Sequence, residues 1–559
     1  MVQLLAKGLV DCLARERAFL LLDENSAKEI INPFDGLESP HLEKQGIVPQ
    51  ADDGMIIVKG TLAGKETVVI SIEGSFQGGG IGEVSGAKFA GTLERILEDC
   101  KSGKKVYPVI IYDTGGVRLQ EANYGLLSIA EISAAIVELR RYVPVVGLIP
   151  GKIGSFGGMS LSAGLCSALI MTEEGRLGMN GPEVVEQEAG IRELNARDKV
   201  LTWKMIGGKT RKAMGLVDEI VEDNIEAYQA AILAVWAKPD AIVQRTEQYE
   251  KFLTIYKAVT LTEKKLTIEE AVEQFSKLEK NELVIQSDNK SNRGAIWFDL
   301  LTGGKQSISD VPSVLVADSQ LNGRNVRFIA VTVNEKNSFY RARNGEVGLI
   351  EGWTIAKYVR QAIEEDRFEK EKRIIVPIVD VPGQAFGYHE ELLGIYLACS
   401  SAVDAYANAR IDGHPLVSLL VGNAISGAFL CHGMQSNRLI ALNDSKVNVH
   451  VMSKKSAARI TQRTLEELEA ASKETPSMAY DIKSFEKLGA LHLLMDNIEA
   501  DCPTTDDVEK VNVAINEAVS HIAKSNSHNL SIRLQSEIAK SSGRIASIKV
   551  RELIDAQWF

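Results

Sequence analysis

Two stretches of this sequence repeat one pattern: VIIYDTGGVRLQE at Val109–Glu121 and IVDVPGQAFGYHE at Ile378–Glu390. Each consists of an apolar strand pattern, an aspartate and a turn that contains glycine. Further along, each half carries a second shared pattern, PVVGLIPGKIGSFGG at Pro144–Gly158 and PLVSLLVGNAISGA at Pro415–Ala428. Two matches in the same order and at similar spacing indicate a duplicated domain.

Short β-rich runs alternate with amphipathic helical patterns along the whole chain, which is typical of an α/β fold. The strands predicted in the first half are Val68–Ile72, Val109–Tyr112, Val145–Ile149 and Ala168–Thr172. Those predicted in the second half are Phe328–Val333, Ile374–Val381, Leu416–Val421 and Arg438–Leu442. Helical spacing of apolar residues predicts helices over Val84–Cys100 and Trp353–Glu365.

The length of 559 residues exceeds what one hydrophobic core usually serves, so more than one domain is expected. A polar, charged segment around Glu263–Arg293 separates the two halves, and Thr267–Glu279 within it has the pattern of an amphipathic helix. We interpret this segment as an exposed linker. The predicted organisation is a first domain over 1–262, a linker over 263–293 and a second domain over 294–559.

The net charge of −12 and the pI near 5.4 argue against a nucleic-acid-binding protein. Six scattered cysteines include no CxxC pair, so neither a zinc site nor a disulfide framework is expected. The N-terminus lacks the continuous apolar region of a signal peptide. No apolar run reaches the roughly 18 residues that a membrane span needs. We therefore expect a soluble, cytoplasmic protein.

The clearest candidate for a functional site is the change from strand to helix at Gly154–Ser162. Glycine lets a ligand approach the backbone closely, and the first turn of a helix has amide groups without intrahelical partners. The amides of Gly157 and Gly158, helped by the turn at Gly115–Gly116, could bind a developing oxyanion. The alternative is that these glycines only permit tight packing of strand against helix, and spacing alone does not distinguish the two interpretations.

Several rival motifs fail when they are compared with the residues. Gly78–Gly86 follows a strand but does not have GxGxxG spacing. Ser155, Ser160 and Ser426 each lack one or both flanking glycines of a nucleophile elbow. His389–Leu393 begins as HExxH but ends in leucine, and the chain has no phosphate-binding GxxxxGK[ST] loop. The remaining candidate is a backbone-based site without a nucleophile or metal.

Titratable residues near the repeated turns have both structural and catalytic interpretations. His389, His432 and His450 lie near the motifs of the second half, where a lone histidine is more often structural than catalytic. Glu121 and Glu391 follow the two turns. A carboxylate in that position more often anchors the loop by hydrogen bonds than serves as an acid or base.

These motifs resemble those of the acyl-CoA carboxylase carboxyltransferases. DTGGVRLQE at Asp113–Glu121 is similar to their DSGGARIQE, and the segments Gly74–Lys88 and Gly154–Gly164 resemble their neighbouring motifs. In the second half, DVPGQAFG at Asp380–Gly387 resembles DVPGFLPG, and ISGAFL at Ile425–Leu430 resembles YGGAY. The resemblance implies two crotonase-like domains of the ββα superhelix type in tandem.

The resemblance is closer still to malonate decarboxylase. Segments similar to its β subunit are Gly46–Gly54, Gly164–Ile191 and Gly207–Asp218. Segments similar to its γ subunit are Arg341–Trp353, Val379–Ile395 and His450–Thr461. The similarity extends over nearly the whole chain except the linker. Because those subunits are usually separate, the resemblance implies a fusion of the two.

The reaction of that family is implied with it. Malonate is carried as a thioester on the phosphopantetheine-type arm of an acyl carrier protein, and a transferase subunit exchanges acetyl for malonyl. The component that resembles this chain converts the malonyl thioester to acetyl thioester and CO2. Loss of CO2 leaves an enolate, so oxyanion donors are the main requirement. The resemblance implies these two partners, an oligomer, and no cofactor bound directly.

Carried over motif by motif, the resemblance assigns residues to two oxyanion holes. The first comprises Gly115, Gly116, Gly157 and Gly158, and the second comprises Gly383, Gln384, Gly427 and Ala428. In carboxyltransferases the second hole holds the biotin carbonyl. In a biotin-independent enzyme it would hold the departing carboxylate instead.

Two other functions share all of these motifs. One is a carboxyltransferase that passes CO2 from malonyl carrier protein to a biotin protein, and the other is a non-catalytic scaffold that binds the carrier. The proton donor to the enolate also stays open between water, Glu121 and His389. The sequence does not decide whether the active site forms within one chain or between chains.

Overall fold

The computed structural model describes residues 8–259, 265–277, 286–525 and 527–559. The chain forms two compact units. The first comprises Met1–Arg245, Thr267–Ser276 and Ile545–Phe559, and the second comprises Thr246–Leu266 and Lys277–Arg544. Of the predicted linker 263–293, residues 263–264 and 278–285 lie outside the described residues. The predicted domain limits stay a prediction.

The first unit is an α/β domain. Its strands are β1 Lys28–Ile30, β2 Met55–Leu62, β3 Lys65–Ile72, β4 Tyr107–Ile111, β5 Val146–Ile149, β6 Ala168–Met171 and β7 Glu219–Ile220. Its helices are α1 Ala14–Leu20, α2 Glu83–Lys101, α3 Ala122–Leu139, α4 Gly158–Leu165, α5 Pro182–Ala189, α6 Lys199–Ile206, α7 Gly208–Ala213, α8 Ile225–Ala237, α10 Ile268–Ser276 and α20 Ile545–Gln557.

The seven strands form one sheet in sequence order. The β1–β2 and β2–β3 pairs are antiparallel and the remaining pairs are parallel. Val58, Val109 and Leu148 face a core that includes Ile232 of α8. The intervening residue Ile110 is also fully buried, so side chains on both faces of the sheet are covered, as parallel sheets require.

The second unit has its own α/β architecture. Its strands are β8 Asn289–Lys290, β9 Val314–Leu321, β10 Arg324–Val331, β11 Val333–Asn334, β12 Ile374–Val381, β13 Val417–Ile425, β14 Arg438–Leu442, β15 Val449–His450 and β16 Leu493–Met495. Its helices are α9 Tyr249–Ala258, α11 Arg293–Thr302, α12 Leu349–Glu365, α13 Tyr388–Leu393, α14 Ile395–Ile411, α15 Ser426–Cys431, α16 Lys454–Ile460, α17 Leu465–Glu474, α18 Ile482–Glu486 and α19 Thr505–Lys524.

The sheet of the second unit repeats that of the first. Its order is β9-β10-β12-β13-β14-β16, which corresponds to β2-β3-β4-β5-β6-β7. Among these corresponding strands, the pairs β2–β3 and β9–β10 are antiparallel and all the others are parallel. The α/β prediction and the predicted duplication are confirmed. The antiparallel strands β2 and β9 were not predicted, because the strand predictions covered only the apolar runs that precede helices.

Helix α3 is unusually apolar. With the turn before it, Leu119–Leu139 is the one stretch of the described residues that is long and apolar enough to cross a membrane. The expectation that no apolar run reaches that length is therefore wrong for this segment. Its whole apolar window is buried inside the protein, however, where α3 packs against α2 and α4. We interpret it as a core helix, since a helix that is apolar on all sides needs packing on all sides.

Helix α20 lies near the C-terminus of the chain but packs on α2 of the first unit. Arg551 donates to Glu94 at 2.8 Å and to Glu131 at 2.9 Å, and the Glu131 side chain is only 1% exposed. The N–H of Ser547 donates to Glu83 at 3.1 Å. The helical pattern of this segment does not reveal which unit it joins, since that depends on its long-range ion pairs.

Replacing Arg551 with alanine is expected to destabilise the first unit by about 3 kcal/mol, because it removes the Arg551 guanidinium from the buried Glu131 carboxylate. The measurement is the urea midpoint of the full chain. Lys549→Ala on the exposed side of the same helix is the matched control and should shift stability by less than about 0.5 kcal/mol. Equal effects of the two changes would contradict this account.

Candidate active site

The two predicted glycine motifs of the first unit meet in space. The turn after β4 contains Gly116 at φ 110°, and Gly157 at φ 57° immediately precedes α4. A Cβ atom built on Gly116 would lie 3.0 Å from the Cα of Gly157, and one built on Gly157 would lie 3.1 Å from the Cα of Gly116. Side chains at these positions would therefore separate the two backbones. This close approach explains the glycines at both positions.

The carboxylate of Asp113 stabilises the two turns that contain Gly116 and Gly157. Its carboxylate accepts a hydrogen bond from Arg17 at 2.9 Å and one from the N–H of Ile153 at 2.9 Å. Burial raises the pKa of Asp113, while the Arg17 guanidinium and the backbone donors oppose that rise. Asp380 occupies the matching place in the second unit and accepts from the N–H of Asn423 at 3.0 Å.

Most of the amides predicted for the first oxyanion hole have partners within the chain. The N–H of Gly115 donates to the carbonyl of Gly78 at 2.8 Å, and that of Gly157 donates to Met179 at 2.8 Å. The N–H of Gly116 donates to Oγ1 of Thr114 at 3.0 Å. These three glycines shape the site while their N–H groups are occupied.

Two other amides remain available. The N–H groups of Val117 and Gly158 have no hydrogen-bond partner in the part of the chain that the structure describes. Gly158 is nevertheless buried, and a buried amide without a partner is costly unless a ligand or water satisfies it. We name Val117 and Gly158, with the adjoining Gly116 and Gly157, the first amide site. Val117 was missed because its side chain carries no chemical signal.

Glu121 anchors the turn of the first amide site. Its carboxylate accepts from Arg118 at 2.7 Å and from the N–H of Glu83 at 3.1 Å. Arg118 also donates to Asp53 at 2.6 Å, and both carboxylate side chains are fully buried. This contact pattern supports the anchoring interpretation of Glu121 over an acid or base role.

Strand register shows which residues correspond in the two units. The bridge between Thr114 and Ser155 matches the pairing of Val381 with Ala424. Counting on from Ser155 and Ala424, Gly157 corresponds to Ser426 and Gly158 to Gly427. The backbone agrees, since Ser426 has φ 59° where Gly157 has φ 57°. Gly427 is therefore the counterpart of Gly158, and Ala428, which the sequence also assigned to the second oxyanion hole, follows it by one position. The segment from Leu419 to Ala424 is two residues shorter than the corresponding segment from Leu148 to Ser155.

The turns before these residues also correspond. Ile81 bridges Val117 in the first unit and Val347 bridges Gln384 in the second. The N–H of Ile81 donates to Gly116, and that of Val347 donates to Gly383. Gln384 therefore occupies the position of Val117.

The corresponding amide of the second unit has an internal partner. The N–H of Gly427 donates to Oε1 of Gln384 at 3.0 Å. The N–H of Ala428 has no partner among the described residues. We name Gln384 and Gly427, with the adjoining Gly383 and Ser426, the second amide site.

The histidines of the second unit hold structure together. His432 contacts the carbonyl of Ile378 at 3.0 Å and Oη of Tyr406 at 3.1 Å, and burial lowers its pKa to about 4. His450 stacks on Tyr480 with ring centroids 3.7 Å apart, and burial lowers its pKa to about 3. Nε2 of His389 accepts from the N–H of Leu266 at 3.1 Å.

The six cysteines all lie in the described part of the chain, and none of them forms a disulfide. Five of them are buried and only Cys502 is exposed. The described residues include no group of three or more His, Cys, Asp or Glu side chains that could hold a metal ion.

Comparison with known proteins places the chain in a family. The family described as "Carboxyl transferase domain" matches residues 11–256, and that described as "Malonate decarboxylase gamma subunit" matches residues 342–558. Malonyl-S-ACP:biotin-protein carboxyltransferase MADC of Malonomonas rubra is 41% identical over 243 residues, which are 42% of this chain and 76% of that protein. This chain belongs to the malonate decarboxylase carboxyltransferase family.

A second relative accounts for the fusion. Malonyl-S-ACP:biotin-protein carboxyltransferase MADD of the same organism is 36% identical over 207 residues, 35% of this chain and 70% of that protein. The chain thus joins two carboxyltransferase parts that are separately named proteins in Malonomonas rubra, and the predicted tandem of crotonase-like domains is confirmed. A crystal structure of a Pseudomonas malonate decarboxylase hetero-tetramer in complex with malonate is 46% identical, with a TM-score of 0.47, and covers 48% of this chain and 98% of that one.

The buried pair around Arg118 predicts a pH effect on stability. Burial raises the pKa of Asp53 from 3.8 to about 6, and the Glu121 carboxylate adds to the rise although Arg118 opposes it. Because the folded pKa lies above the unfolded value, protonation favours the folded state. The contribution of Asp53 to stability is therefore largest below pH 3.8 and is lost as the pH rises through 6.

Replacing Asp53 with asparagine should remove this decline. The measurement is the urea midpoint between pH 4 and 7 for wild type and variant, a window set by the two pKa values. Glu183→Gln, on an exposed side chain of α5, is the control and should leave the decline in place. An unchanged pH dependence in Asp53→Asn would show that another group causes it.

Proposed function

We propose that this chain decarboxylates malonyl-S-acyl carrier protein to acetyl-S-acyl carrier protein and CO2. The observation that carries the proposal is the first amide site, in which two unpaired backbone donors lie at a glycine-lined turn and a helix start. The names of the relatives support the substrate, since both act on malonyl-S-ACP. Other subunits of a malonate decarboxylase complex would supply this substrate.

The chemistry needs little beyond such donors. When CO2 leaves a malonyl thioester, the electrons of the broken C–C bond pass into an enolate whose negative charge lies on the thioester oxygen. The N–H groups of Val117 and Gly158 would donate to that oxygen and lower the energy of the enolate. The helix dipole of α4 adds positive potential at Gly158. No nucleophile is required, and no covalent intermediate is proposed.

The enolate also needs a proton to become an acetyl group. Glu121 is fully buried and paired with Arg118, and His389 is also buried, with its Nε2 accepting from the N–H of Leu266. We therefore propose water as the proton donor. In this assignment the chain contributes oxyanion stabilisation, and the solvent completes the reaction.

The carrier arm and the partners belong to the same proposal. We expect the malonyl group to arrive on the phosphopantetheine-type arm of an acyl carrier protein and to be loaded there by an acetyl/malonyl transferase subunit. Solved Pseudomonas malonate decarboxylases are described as a hetero-tetramer and as an MdcD-MdcE hetero-dimer, which supports an oligomeric assembly. We also propose a cytoplasmic location, where a CoA- or carrier-linked substrate would be available.

The second candidate function is carboxyl transfer from malonyl-S-ACP to a biotin protein. It is favoured by the names of both Malonomonas relatives. It is opposed by the second amide site, where Gln384 already occupies the Gly427 donor. A non-catalytic scaffold that binds the carrier would need no unpaired buried donor at Gly158.

Gly158→Pro tests the first amide site. Proline is tolerated at the first position of a helix, so the change deletes one N–H donor while α4 can form. We expect a loss of about 100- to 1,000-fold in kcat for CO2 release from malonyl-S-ACP, the usual effect of one lost oxyanion donor. Leu465→Pro makes the same change at the exposed first residue of α17 and should leave the rate unaltered.

The route of the carboxyl group can be measured in the same assay. Release of labelled CO2 from malonyl-S-ACP by the purified chain should not depend on an added biotin acceptor and should not be inhibited by avidin. Release that requires the biotin acceptor would favour carboxyl transfer. Carrier binding without any CO2 release would favour the scaffold.

A further inference from the structure

The two amide sites differ at one side chain that the repeat places in the same position. In the first unit the residue after the turn glycine is Val117, and the amide of Gly158 is unpaired. In the second unit the residue after Gly383 is Gln384, and its carboxamide accepts from Gly427 at 3.0 Å. The corresponding amide is therefore unpaired in the first unit, and in the second unit it is paired with a side chain of the same chain. We call the second amide site closed in this sense.

The Gln384 carboxamide is chemically equivalent to an external carbonyl ligand. Its Oε1 is an amide oxygen, the same acceptor type as a thioester, carboxamide or ureido oxygen. An internal acceptor is present at high effective concentration because its chain already holds it near the donor. A weak external carbonyl would have to displace Gln384 Oε1 from the buried Gly427 amide. The new hydrogen bond would be no stronger than the one it replaces.

The ureido ring of biotin is the carbonyl that the carboxyl-transfer alternative would place here. Its oxygen would need the Gly427 N–H, which Gln384 occupies. The residues present therefore do not fit a biotin carbonyl at this site. A valine at this position, as in the first unit, could not make the same bond because it has no acceptor.

We propose that Gln384 is a specificity-determining residue that closes the second amide site to carbonyl ligands, so that the carboxyl group leaves as CO2 instead of passing to biotin. The part of this inference that concerns the fate of the carboxyl group rests on the proposed function. The closure itself is independent of that function, since it concerns one hydrogen bond within the second unit.

Amide exchange measures the closure directly. Hydrogen–deuterium exchange with single-residue fragmentation should show the Gly427 amide exchanging about tenfold more slowly in the wild-type chain than in Gln384→Val, as expected for one lost hydrogen bond. Gln361→Val, on the exposed face of α12 in the same unit, is the matched control and should leave Gly427 unchanged. Equal exchange in wild type and Gln384→Val would overturn the proposal.

Ligand binding tests the specificity. The probe is 2-imidazolidinone, the ureido ring of biotin without its side chain, titrated into the full chain and followed by the Gly427 amide resonance. We expect binding to Gln384→Val but not to the wild-type chain. Binding to both, or to neither, would show that Gln384 is not what excludes the carbonyl, and would overturn the proposal.

The reciprocal variant introduces glutamine at the equivalent position of the first unit. Val117→Gln should bring a carboxamide to the Gly158 amide and lower kcat for decarboxylation by about 100-fold, the lower end of the usual effect of one lost donor. Val200→Gln, at a position 68% exposed on α6, is the control.

If wild type does not release CO2, the proposed function fails, while the exchange and binding results still decide the role of Gln384. Full activity in Val117→Gln, with wild-type CO2 release intact, would overturn the equivalence of the two positions.

Discussion

The structure of the first unit depends on the close approach of two backbone turns. The Cβ positions of Gly116 and Gly157 lie about 3 Å from each other's Cα atoms, which only glycine permits. Asp113 lies in the turn after β4, where Arg17 donates to its carboxylate. The same carboxylate accepts from the N–H of Ile153 and so links the loop after β5 to this turn. This constraint brings Val117 and the start of α4 together. The two unpaired amide donors on which the proposed oxyanion site rests lie at this junction.

The duplicated unit keeps the architecture and changes the chemistry. Strand order, the direction of each strand pair and the positive φ before the helix are retained, even though Ser426 replaces Gly157 at that strained position. What differs is the residue after the turn glycine, which is valine in one unit and glutamine in the other. A single side chain thus decides whether a conserved backbone arrangement offers a donor or satisfies it internally.

Much of the fold followed from local patterns. Predicted strands and helices such as Ile374–Val381 and Val84–Cys100 were found within a few residues of their limits, because buried parallel strands and amphipathic helices have strong apolar periodicity. The counterparts of Gly157 and Gly158 could not be identified from the motifs, because the second unit is two residues shorter before its helix and that difference is visible only in strand register. Partners of single amides, such as Met179 for Gly157, cannot be predicted because they lie far away in the sequence.

By itself the sequence determined the duplication, the α/β class, the family and the glycine turns, since each is written in residue types at fixed spacing. Only the tertiary structure decided which amides have a free donor, because hydrogen bonds to Gly78, Met179 and Gln384 depend on long-range packing. It also showed that Glu121 is buried and paired with Arg118, and that burial lowers the pKa of His432 and His450, which supports a structural interpretation of all three. The tertiary hydrogen-bond partner of each backbone N–H thus determines whether that amide is available to bind a ligand.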